Sequence, residues 1–162
     1  MKIPQSKVKE KPKEEKERVD KKLEGPGKYE ITKDTTFKVK FVLTMKDGRW
    51  VVIQSDEKER TAREHWVEFR MWTFDEEIEL RKMATQWDVM KKIHLIDHDL
   101  LNQMKIQRLM KSWSFEEENA RLKLLHANGI LSDESFGAFK KLHPNIARHI
   151  IEKMNSVLEY NE

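Results

Sequence analysis

The grouping closest to a reactive site in this chain is His94-Leu95-Ile96-Asp97-His98. On a helix, histidines four residues apart share a face, and Asp97 lies near them. Zinc would need a further ligand, and the metalloprotease pattern would place Glu, not Leu95, after the first histidine. Without a metal the same residues make a hydrogen-bonded polar patch on an otherwise apolar stripe, and no metal is expected. The remaining histidines (His65, His126, His143 and His149) are dispersed and complete no motif. Asp75-Glu76-Glu77 and Glu116-Glu117-Glu118 cluster carboxylates as acid–base sites do, but both runs sit where acids favour a helix start. No serine lies in a nucleophile elbow, and the five glycines form neither a phosphate loop nor a dinucleotide fingerprint. The absence of cysteine removes thiol nucleophiles and cysteine-ligated metals. No catalytic residue and no cofactor is therefore expected, and the chain reads as a non-enzyme.

The elements that would position any site follow from charge and periodicity. The chain has 162 residues, of which 38% are charged and 38% hydrophobic, with a formal net charge of +3. That excess sits in residues 1–27, which hold nine basic and six acidic residues; the rest is neutral, with 23 of each. The segment has few apolar anchors and three prolines, so it reads as a disordered basic tail. After Gly25-Pro26-Gly27 the period changes to two. Phe37 to Met45 alternates as a half-buried strand, Asp47-Gly48 supplies a tight hairpin turn, and Trp50 to Ile53 is the return strand. His65 to Trp72 supplies a third, so residues 28–72 form a small three-stranded antiparallel segment.

From residue 73 onward the expectation is helical. Thr73 and Glu76 form a capping box, and Leu80, Met83, Trp87, Met90, His94, Asp97, Leu101 and Met104 recur at spacings of three and four, predicting one helix to about Lys111. Trp113-Ser114-Phe115 opens a second helix that Asn128-Gly129 ends; Ser132 caps a third, and Pro144 starts a fourth with the stripe Ile146, Ile150, Met154 and Val157. The fold class expected is α+β, mostly α, with a β segment followed by a helical domain over 73–162.

Two binding surfaces suggest themselves. Trp87, Met90, Met104 and Met110 would line helix faces suited to an adaptable apolar contact with another protein. Lys38, Lys40, Arg70 and Trp72 on one sheet face, with the basic tail, would form the alternative, a small nucleic-acid-binding module. No apolar run approaches a membrane span, so a soluble, intracellular protein with no membrane partner is expected.

Phe69 to Glu77, Asp97 to Leu109, Ser112-Trp113-Ser114, Asn128 to Glu134 and Lys141 to Ile146 carry a resemblance. The stretch from about Trp66 to Met154 resembles the small tail-assembly chaperones and allied baseplate or tail-morphogenesis proteins of tailed bacteriophages. The likeness implies a non-enzymatic factor that binds tail or virion proteins in the host cytoplasm or stays in the virion. It carries no catalytic residue and leaves the basic tail and first hairpin unexplained.

Overall fold

A computed structural model describes residues 30–32, 34–54 and 62–159. The chain divides into two units, residues 1–32 and 33–162. Of the first only Glu30 to Thr32 are described, without regular structure, so the expected tail lies outside the described residues. Everything below concerns the second unit.

The alternating stretch forms β1 (Thr36–Lys46), and Asp47 and Gly48 take the positive φ values, 51° and 73°, that turn it directly into β2 (Arg49–Ile53). On its other side β1 pairs antiparallel with β3 (Arg63–Arg70), placing Val39 opposite Val67 and Phe37 opposite Phe69. The chain then enters α1 (Phe74–Met83) through the expected capping box: Thr73 Oγ1 accepts from the Glu76 amide, and Glu76 reaches back to the Thr73 amide.

At Ala84 the expected long helix ends. Thr85 Oγ1 donates to the Arg81 carbonyl, and the chain leaves as β4 (Thr85–Asp88), returning as β5 (Ile93–Ile96). Asp88 holds the turn by accepting from the amides of Met90 and Lys91, and Lys92 takes the left-handed conformation. Asp97 does not continue a stripe; it accepts from the Leu100 amide and caps a new helix, α2 (His98–Leu109). The spacing of three and four is coincidental, whereas β-branched Thr85, Ile93 and Ile96 and the cap at Asp97 carry the true signal.

After α2 the chain becomes β6 (Met110–Trp113), which pairs antiparallel with β3 across a register shift at Glu68/Phe69 and completes a sheet of order β2-β1-β3-β6. The second expected helix starts where expected but stops after its first turn. One turn, α3 (Phe115–Glu118), and a 3-10 turn at Ala120–Leu122 lead to a small hairpin of β7 (His126–Ala127) and β8 (Ile130–Leu131). Asn128-Gly129 is its turn, with φ values of 54° and 77°, not a helix end. The last two helices are as expected: α4 (Asp133–Lys140), where Ser132 Oγ accepts from Ser135, and α5 (Pro144–Leu158), with proline in its first turn.

The expectation of a mostly helical chain with an N-terminal three-stranded segment is thus overturned. Among the described residues 43% are helical and 33% are in strands, and the sheet has four strands, the fourth arriving about 40 residues after the third. One face of this sheet, carrying Val39, Phe41, Leu43, Val67, Phe69 and Trp113, joins a single core with Leu80, Leu101, Ile106, Phe139, Ile150 and Met154 from the helices. The stripe of α5 ends on buried Leu158, with Val157 exposed. No helix among the described residues is long and apolar enough to cross a membrane.

Candidate functional site

The β4–β5 hairpin projects from this core. Its base is fixed where Asp97 donates its amide to the carbonyl of buried Ala84 and where Ile96 packs against the core. Beyond that base its apolar side chains are in solvent: Trp87 is 54% exposed, Val89 73% and Met90 91%, with Ile93 and Leu95 also exposed. An isolated two-stranded hairpin is marginal in water, so this one relies on its anchored base and local ties. One is the edge-on contact of the Trp87 and His94 rings, 4.9 Å between centroids, on one face of the ribbon. The other is the Asp88 side chain in the tip. Lys91 and Lys92 extend from the tip, and neither pairs with a carboxylate among the described residues.

This geometry redistributes the residues expected to contact a partner. Trp87 and Met90 are accessible, but on a hairpin and not on a helix. Met104 on α2 is half-buried against the core, and Met110 is 1% exposed and opposite Phe69 in the sheet. His94 and His98 do not share a helix face. His94 is on β5, His98 begins α2, and Asp97 between them is a cap; no group of three or more potential metal ligands forms among the described residues.

The other sheet face brings together part of the nucleic-acid alternative. Lys38 and Lys40 are exposed there, but the Lys38 ammonium lies over the Trp66 ring, 4.2 Å from its centroid. Arg70 forms a two-pronged pair with Glu76, 2.8 and 2.6 Å, which raises its pKa above and holds that of Glu76 below the ordinary values. Glu68 occupies the middle of the face, accepting from Thr36 and Ser112. Trp72 is in the core, 4% exposed, and offers no stacking surface.

Two polar constellations escaped sequence reasoning because their members are far apart in the chain. The first aligns Ser114, His65 and Glu118 in the order of a hydrolase triad. Ser114 Oγ is 3.0 Å from His65 Nδ1, and His65 Nε2 is 3.9 Å from Glu118. Its details are those of a structural pin. The serine oxygen also accepts the Trp66 amide, and Ser114 and His65 are both buried, with the imidazole against Phe41 and Phe115. Burial lowers the His65 pKa, opposed by Glu118 and aided by Arg63.

The second surrounds Lys105, which is 1% exposed. Its ammonium donates to Glu159 at 2.7 Å and Asn155 at 2.8 Å and lies 4.9 Å from the centre of the Trp72 ring, while Arg81 also reaches Glu159. Burial lowers the Lys105 pKa, with the Glu159 hydrogen bond and charge offsetting only part of that. The network ties α1, α2 and α5 together. A shallow groove of about 280 Å³, floored by Ile106, Phe136, Phe139 and Ile151, lies between α2, α4 and α5 and meets the Lys105 network through Asn102, which lines it and accepts from Asn155.

No protein-family model, curated protein or solved structure matches the chain.

Proposed function

We propose that this protein is a non-enzymatic interaction and assembly factor that engages other proteins through the β4–β5 hairpin. The observation that carries the reading is the arm itself: a locally braced ribbon holding five apolar side chains in water within nine residues, whereas the other exposed large apolar side chains among the described residues, Phe74 and Leu125 among them, are spread along the chain. Exposed apolar surface of this kind is costly to solubility and is characteristic of binding surfaces. The sequence likeness to tail-morphogenesis proteins makes virion and tail components the first partners to test.

The test is isolation of the tagged full chain from its native source, with and without nuclease, beside the Trp87→Ser/Met90→Ser variant. Nuclease-resistant co-purification of structural proteins, lost in a variant with unchanged circular dichroism, supports the reading. Unchanged association of that folded variant removes the hairpin as the contact. Association that collapses with nuclease replaces this reading with the nucleic-acid module.

A further inference from the structure

Resting on the interaction reading above, we infer that the hairpin is held within a cleft of a partner protein, and that the deep end of this cleft carries carboxylates. The first argument is that the arm exposes apolar side chains on both sides, Trp87 beside His94 on one and Ile93 and Leu95 beside Asp88 and Gln86 on the other. Paired residues of a hairpin share a face and neighbours alternate, so Trp87 and His94 point one way while Ile93 and Leu95 point the other. All four are exposed. A flat partner surface would cover one side and leave the other in water. Only an occupant that surrounds the ribbon removes both from solvent.

The second argument is charge at the tip. Lys91 and Lys92 are the last two residues of the turn, in no ion pair among the described residues, and Oδ1 of the nearby Asp88 is held by the Met90 and Lys91 amides. Entering tip first, these two ammonium groups go deepest together with the single Asp88 carboxylate, so the leading end carries a net positive charge. A lipid acyl region offers them nothing and penalises them. A protein cleft can meet them with Asp or Glu, the complementary arrangement that steers association and fixes orientation.

The experiment places a photo-crosslinking amino acid singly at Trp87 and at Leu95 in the full chain, irradiates cells of the native source and sequences the crosslinked peptides. The Lys91→Glu/Lys92→Glu variant of the unlabelled chain is measured beside them against the protein so captured. The expected result is one partner protein captured from both faces, through apolar segments, with affinity reduced by about tenfold or more on charge reversal. Capture from one face only, capture of lipid or of a second copy of this chain, or unchanged affinity on charge reversal would each overturn the inference. If Trp87→Ser/Met90→Ser abolishes binding while charge reversal does not, the interaction reading stands and the acidic cleft falls. If neither position crosslinks and neither variant alters binding, the interaction reading itself fails.

Discussion

Glu159→Gln should destabilise the fold by about 2–3 kcal/mol, because it removes the carboxylate that pairs directly with the buried Lys105 ammonium and leaves only the longer-range charge of Glu77. The two groups are 2.7 Å apart, and at an effective dielectric of about 20 such a pair has a gross attraction of about 6 kcal/mol. Two features reduce that figure. A quarter of the Glu159 side chain remains in water, and glutamine can still accept a hydrogen bond. Asn155 and the face of Trp72 also stay with the ammonium. Urea unfolding followed by tryptophan fluorescence and circular dichroism would measure the change, which corresponds to a fall in Tm of about 4–12 °C. Lys105→Met removes the buried charge while keeping much of the volume, and Glu159 retains Arg81. It should therefore cost less than Glu159→Gln, and combining the two should recover part of the loss. A Glu159→Gln cost below about 0.5 kcal/mol, or a double variant whose cost equals the sum of the singles, would refute the account, since contacting charges must couple.

Burial holds His65 and His149 below the ordinary imidazole pKa, so both favour the neutral form when folded. Their contribution is complete above pH 6.5, where the unfolded chain is also neutral, and is lost as pH falls toward their folded values; the urea midpoint should drop between pH 7.5 and 5.5, and less so in His65→Gln. Gly129 and Gly137 both have open space where a Cβ would stand, but only Gly129 has positive φ, at +77°. Gly129→Ala should cost about 1–2 kcal/mol through backbone strain, while Gly137→Ala inside α4 should stabilise by about 0.5–1 kcal/mol; thermal melts distinguish the signs. Met110→Ala should cost about 2–5 kcal/mol by opening a core cavity, whereas Met90→Ser, at a tip position 91% exposed, should alter stability by less than about 1 kcal/mol, as read from denaturant midpoints.

The features legible in the sequence were those whose causes are local. Alternation from Phe37 to Met45 with Asp47-Gly48 specifies a hairpin, because a positive-φ pair turns the chain where it stands. Thr73 with Glu76, Ser132 with Ser135 and Pro144 at a helix start bond or constrain neighbours within a few residues. The helix expected over 84–97 fails because a spacing of three and four is not unique to helices, and Asp97, which has that spacing yet interrupts the apolar stripe, caps a new helix. The candidate site was legible only as residue types, with Trp87 and Met90 singled out but assigned to a helical face.

Tertiary structure decided which of these residues the solvent can reach. Met90 and Met110 are alike in sequence terms, each apolar and beside lysine, yet one is 91% exposed at the end of an arm and the other is 1% exposed in a strand of the sheet. The difference comes from β6 pairing with β3, a contact across more than 40 residues that no local pattern announces. The pin between His65 and Ser114 and the clamp of Lys105 on Glu159 span 49 and 54 residues for the same reason. Composition and local chemistry determined that the chain has strands, capped helices and adaptable apolar side chains. Long-range packing determined which of those side chains became core, because burial depends on what the rest of the chain brings against each one.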